Sequence, residues 1–264
     1  MKSFNLFIYI FLIAITFSCG EEPSKKIKEV AKPKATIENT AKKETIKEEP
    51  KIDLISDENV KDKLLAYGKE NPETVVDIYT SYGKVRVQLY KDTPLHRANF
   101  IMLAKKGFFE GSIFTRAVPH FIAQGGGTYN DKQVEVKKSI GSYTIPAEIS
   151  KNHIHKRGAI GAARGYLNNP DKRSDPYAFY MVEGMKYPKD LLTHYEQKNN
   201  YTYSEKQIEY YTQNPGAAHI DGEHTVFGEI ISGYDVVPKI TIVETDSREW
   251  PRVDIYIDSV KVVR

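Results

Sequence analysis

An arginine and a glutamine stand among large apolar residues in the run Phe114-Thr-Arg-Ala-Val-Pro-His-Phe-Ile-Ala-Gln-Gly-Gly-Gly127. Residues i and i+2 of a strand share a face, so a strand here predicts Phe114, Arg116 and Val118 on one side. Pro119 resets the phase, after which Ile122 and Gln124 share a face. A strand face carrying a guanidinium and a carboxamide among apolar groups is unlike ordinary core. It suits an apolar groove with a few placed hydrogen-bonding groups, the usual character of a ligand site. His153-Ile-His155 has the look of a metal-binding pair, but no third ligand stands at a convincing spacing, and no metal is expected. The glycine run lacks the strand–Gly–Lys–helix context of a phosphate loop.

The same run resembles the signature of the cyclophilin family of peptidyl-prolyl cis-trans isomerases. The family pattern, Phe-x-Arg-x-x-Pro-x-Phe-x-x-Gln-Gly-Gly, is met at Phe114, Arg116, Pro119, Phe121, Gln124, Gly125 and Gly126. The resemblance implies that Arg116 is catalytic, that Phe121 and Ile122 form the floor of a proline pocket, and that Gln124 binds substrate backbone. It further implies substrate contacts at Ala163, Tyr180, Ile220 and His224, the last within Asp-Gly-x-His-x-Val-Phe-Gly. Each has a plainer alternative: a surface ion pair for Arg116, a turn-capping amide for Gln124, a structural hydrogen bond for His224. Three positions depart from the family. Ala178 stands where the family has a glutamine that helps fix the arginine, His219 where it has a tryptophan that contacts cyclosporin, and Arg164 where it has an asparagine. The resemblance therefore implies weak cyclosporin binding.

The chemistry implied needs no cofactor. Amide resonance sets a barrier of about 18–20 kcal/mol to rotation of the bond. A guanidinium that donates to the prolyl nitrogen as resonance is lost binds the twisted state better than the planar one. An apolar groove strengthens that interaction. The expected partners are proline-containing polypeptides. The runner-up function is a proline-peptide binding or chaperone module with weak or no isomerase activity, which Ala178 favours.

The elements expected around these residues are mainly β. Thr74–Thr80, Lys84–Tyr90, the signature itself, Phe179–Val182, Thr225–Gly233 and Val253–Val263 read as strands; Val85, Val87 and Leu89 alternate with polar residues. Helices are expected over Asp57–Lys69, capped by Ser56 or Asp57, from Thr93 to Lys105 and from Tyr234 to Ile240. Many short strands argue for a closed antiparallel barrel. The resemblance implies eight strands with a helix over each open end, from about Glu73 to Arg264. Residues 184–215 form an insertion: Leu191, Leu192 and Tyr195 share one helical face, and Ser204 caps a second helix to Tyr211. The expected arrangement is a helical hairpin on the barrel wall.

A net charge of +3 from nearly balanced acids and bases gives no reason to expect nucleic acid, and 40% hydrophobic residues leave room for an unpacked segment. That segment is N-terminal. Residues 1–18 join a basic start to an apolar run too short to span a bilayer comfortably, as in a signal peptide. Cys19, the sole cysteine, follows at once, which resembles a bacterial lipoprotein signal, although Thr16 stands where leucine is favoured. Residues 19–56 then read as a charged, flexible tether and residues 57–264 as the folded domain. The expectation is a lipid-anchored monomer of the bacterial cell envelope without an intramolecular disulfide.

Overall fold

The computed structural model describes residues 54–263. In chain order the elements are β1 (Ile55–Ser56), α1 (Val60–Glu70), β2 (Val75–Thr80), β3 (Gly83–Leu89), α2 (Pro94–Lys105), β4 (Ser112–Val118), β5 (Ile122–Gly126), α3 (Asp131–Ile140), β6 (Gly141–Ser142) and β7 (Ala159–Ala162). They continue with β8 (Ala178–Val182), α4 (Lys189–Asn199), α5 (Glu205–Gln213), β9 (Val226–Ser232), α6 (Val236–Thr241) and β10 (Tyr256–Val262). Eight strands close an antiparallel barrel in the order β10-β2-β3-β9-β7-β8-β5-β4, with β4 returning to β10. Closure removes the free edges that an open sheet would expose.

Period-two alternation fills the barrel. Val85, Val87 and Leu89 of β3 and Phe179 and Met181 of β8 point inward and are buried. Phe100 of α2 enters one end, its ring centroid 4.8 Å from Phe109, 5.3 Å from Phe179 and 5.8 Å from Phe227. Such a ring stabilises by about 1.5–3 kcal/mol through burial alone. At the other end, where β3 begins, α6 lies so near that a Cβ on Gly83 would come within 3.1 Å of Val236. The expected helix at each end is thus present, with four more α-helices among the described residues.

The shared face expected for Phe114 and Arg116 is not observed. Phe114 pairs with Gly125 and Arg116 with Gln124, so β4 spends two residues where β5 spends one. This bulge reverses the alternation. Phe114 drops into the core and Arg116 turns outward. Gly125 is needed on the inner face, because a Cβ there would meet the Phe114 ring at 3.0 Å. The β4–β5 turn has Pro119 followed by His120 at φ +59°, with Phe121 N–H donating to Val118 O at 3.1 Å, the pattern of a type II turn.

Three further differences concern the periphery. Ile55 and Ser56, placed in the tether by sequence, form β1, which pairs with β6 and buries Ile55. The first helix starts at Val60 after Asn59; Asp57 instead holds Thr144 and Arg173. The unanticipated α3 follows the glycine run and is closed by a reciprocal Asn130–Gln133 capping box. In the insertion, α4 and α5 form as expected, and Ser204 caps α5 with Gln207.

Candidate active site

One groove of about 300 Å³ on the outside of the barrel collects Arg116, Phe121, Ile122, Gln124, Ala163, Tyr180, Ile220 and His224, all eight of the residues singled out from sequence within the folded part. Strands β4, β5 and β8 supply four of them, Arg116, Ile122, Gln124 and Tyr180. Gln124 pairs with Tyr180 across β5 and β8, and Ala178, two residues from Tyr180, faces the same side. Ile122, Tyr180 and Ile220 form a buried apolar patch with Phe121 and Ala163 packed against it. Cys19 lies outside the described residues.

Arg116 is anchored at one atom. Its Nε–H donates to Glu249 at 2.5 Å, and its guanidinium carbon lies 5.4 Å from the centre of the Phe121 ring. Its two terminal nitrogens bond no described residue. The Gln124 amide likewise bonds no described residue, so it does not cap the glycine turn. The groove therefore presents two sets of unpaired donors above an apolar floor.

His224 is fixed as a neutral ring. Its Nδ1–H donates to Ala162 O at 3.0 Å, which leaves Nε2 to accept from the Tyr166 hydroxyl at 2.7 Å. Burial lowers its pKa to about 4, outweighing the opposing Ala162 hydrogen bond. His219 is also brought down to about 4 by burial. Its ring packs 4.5 Å from Phe121, and its Nδ1 accepts from Tyr187 at 2.8 Å.

Tyr180 rests on a buried polar chain. Its hydroxyl pairs with His155 Nε2 at 2.8 Å, and His155 Nδ1–H donates to Asp221 Oδ1 at 2.7 Å. Asp221 Oδ2 accepts from Tyr211 at 2.6 Å and Tyr203 at 3.1 Å. Both tyrosines come from the insertion, so the hairpin braces the segment that carries Ile220. The two histidines of His153-Ile-His155 diverge: His153 stacks on Tyr90 with centroids 4.0 Å apart and pairs with Asp92, whereas His155 is buried in the chain just described.

Sequence reading missed Tyr166 and Glu249. Tyr166 is exposed, hangs over His224 and lies 4.2 Å beneath the Arg164 guanidinium. Nothing in the local sequence marks it. Glu249 is 133 residues from its partner, beyond the reach of any spacing argument.

Residues 75–262 match the family model described as cyclophilin type peptidyl-prolyl cis-trans isomerase/CLD. A putative bifunctional phosphatase/peptidyl-prolyl cis-trans isomerase of Streptococcus pyogenes is 30% identical over 203 residues, which cover 71% of this chain but 38% of that protein. A peptidyl-prolyl cis-trans isomerase of Acinetobacter baylyi is 27% identical over 194 residues, covering 72% of this chain and 85% of the relative. Among solved structures, a cyclophilin-type isomerase of Cryptosporidium parvum superposes with a TM-score of 0.51 at 18% identity, covering 73% of this chain and 98% of the other. Its structure in the presence of the dipeptide Ala-Pro gives a TM-score of 0.50. These superpositions speak to the fold.

Proposed function

The chain belongs to the cyclophilin type of peptidyl-prolyl cis-trans isomerases, and from that premise we propose that its groove accelerates rotation about X-Pro bonds of polypeptide substrates. The proline ring sits on Phe121, Ile122 and Tyr180, beside Ile220. Gln124 holds the backbone on one side of the bond while the other swings. Arg116 donates to the prolyl nitrogen as it becomes pyramidal. His224, neutral near pH 7, adds an apolar wall rather than a charge. The Ala-Pro dipeptide present with the Cryptosporidium parvum relative is of the size this floor would take.

The observation that carries the reading is the Arg116 guanidinium, tied down at Nε and open at both terminal nitrogens above an apolar floor. A protease-coupled assay on an Ala-Pro peptide tests it. Arg116→Ala is expected to lower kcat/KM by about 10²–10³. No acceleration by the wild type at high concentration overturns the activity. That result, with retained affinity for proline peptides, is what the runner-up binding module requires; Ala178, whose methyl offers no hydrogen bond, favours it.

The substrates proposed are exported proteins, met as they fold in a bacterial cell envelope. Support comes from the apolar run before Cys19 and the charged segment after it. On this reading Cys19 carries lipid and the segment between it and β1 tethers a monomeric domain to the membrane. A fatty-acid probe that labels the wild type and Cys19→Ser equally rules out Cys19 as the anchor.

A further inference from the structure

Glu249 reaches Arg116 from a loop with little freedom. From Asp246 to Trp250 the chain makes a tight turn, with Glu249 N–H donating to Asp246 O at 3.0 Å and Asp246 N–H to Trp250 O at 2.8 Å. Asp246 Oδ1 accepts from the amides of Arg248 and Trp250 at 2.8 and 3.0 Å. The Glu249 carbonyl accepts from Ala117 N–H at 2.9 Å, which fastens the loop to the strand residue beside Arg116. Glu249 itself takes φ +66°, where an L side chain is disfavoured and glycine is at ease. A glycine would fit this backbone better and would leave Arg116 Nε unheld.

The opposite wall offers no replacement. Ala178 faces the groove on the same side of β8 as Tyr180, and its methyl cannot bond a guanidinium. Among the described residues Glu249 is the one side chain hydrogen-bonded to Arg116. The two side chains are 36% and 43% exposed, so the pair adds little to stability. Its consequence is orientation. A bond at Nε sets the plane of the guanidinium and leaves both terminal nitrogens without a partner among the described residues.

We propose that Glu249 is the positioning residue of Arg116: it fixes Nε and thereby aims the terminal nitrogens at the prolyl nitrogen, in place of a bond that Ala178 cannot make. The proposal rests on the isomerase reading. Near-attack geometry is demanding, and a displacement of about 1 Å costs up to about 10²-fold in rate.

The test compares the wild type with Glu249→Gln, Glu249→Gly and the double variant Glu249→Gly/Ala178→Gln. Values of kcat and KM on an Ala-Pro peptide come from exchange NMR. Glu249→Gly suits the loop backbone, so its expected effect is a fall in kcat of about tenfold or more with KM within about twofold. Glu249→Gln keeps an acceptor oxygen and is expected to keep most of the rate. Ala178→Gln in the glycine background is expected to recover part of the loss. In the same samples the Arg116 Nε–H resonance, assigned by its disappearance in Arg116→Lys, is expected to be sharp in the wild type and exchange-broadened in Glu249→Gly. An active wild type whose kcat survives Glu249→Gly unchanged overturns the proposal and leaves the isomerase reading standing. An inactive wild type overturns the isomerase reading and the catalytic half of the proposal together. A sharp Nε–H resonance in Glu249→Gly overturns the positioning itself.

Discussion

The Tyr180 hydroxyl and His155 Nε2 are 2.8 Å apart beneath the groove floor, and both side chains are buried. The ring that walls the groove is therefore held by a hydrogen bond as well as by packing. Burial pushes the Tyr180 pKa well above its ordinary value, so the hydroxyl stays protonated at every working pH. Tyr180→Phe leaves His155 Nε2 without its partner in a dry site. The expected cost is ~1–3 kcal/mol of stability, read by urea unfolding, with kcat/KM changed less than about threefold because the apolar wall remains. Unaltered stability would mean that the bond is dispensable.

The insertion reaches the same chain through Tyr211 and Tyr203. Tyr211→Phe removes a 2.6 Å donor from the buried Asp221 carboxylate. A charged acceptor that loses one of its donors is expected to cost ~1–3 kcal/mol. Loosening of the Ala218–Ile220 turn is expected to raise KM more than it lowers kcat. A variant with wild-type stability and KM would detach the insertion from the groove.

Gly161 makes room for Tyr180. A Cβ at Gly161 would stand 2.2 Å from Tyr180 Cζ and 2.4 Å from its hydroxyl oxygen. Gly161→Ala must push the ring into the groove, at a cost of ~1–3 kcal/mol. The expected result is a KM raised several-fold, and Gly161→Ala combined with Tyr180→Leu is expected to regain stability. Equal melting temperatures for wild type and Gly161→Ala would contradict the packing described.

Stability is expected to fall with pH in a defined window. Burial holds His224 and His219 near pKa 4, whereas in the unfolded chain each takes its ordinary value near 6.5. Between 6.5 and 4 the unfolded chain binds more protons, so unfolding is favoured as pH drops, and the full stability is present above 6.5. The contribution of His224 is on the order of 3 kcal/mol, and that of the less deeply buried His219 is smaller. Thermal melts at pH 7.5, 5.5 and 4.5 measure it. His224→Gln is expected to flatten the profile; a variant as pH-sensitive as the wild type would place the effect elsewhere.

The groove was legible in sequence because its parts are local. Phe121, Ile122 and Gln124 follow one turn, and Tyr180 and His224 sit in short motifs of their own. Three kinds of feature were not legible. The bulge between Phe114 and Arg116 breaks the alternation from which their orientation was inferred, and it shows only once β5 supplies the register. Glu249 and Tyr166 act across loops, where no periodicity exists. The start of the folded part was misjudged at Ile55–Ser56, because two residues paired with β6 carry no pattern of their own. The helix α3 was also not anticipated, although Asn130 followed three residues later by Gln133 is a capping-box spacing.

The bulge also divides the kinds of change this chain can absorb. A substitution in β4 alters one side chain on one face. A deletion at Thr115 would restore simple alternation and leave Phe114 opposite Gly125 and Arg116 opposite Gln124, whereas a deletion at Ala117 would carry Arg116 to the inward place opposite Ala123. The strand is thus strict in length from Arg116 to Val118, and Thr115 is the one residue its pairing with β5 does not need. The connection between β8 and β9 is the reverse: it holds two whole helices without disturbing the barrel order. Divergence of such a chain is expected to proceed by lengthening its loops and rewriting its strands, with the residue count of β4 from Arg116 to Val118 left untouched.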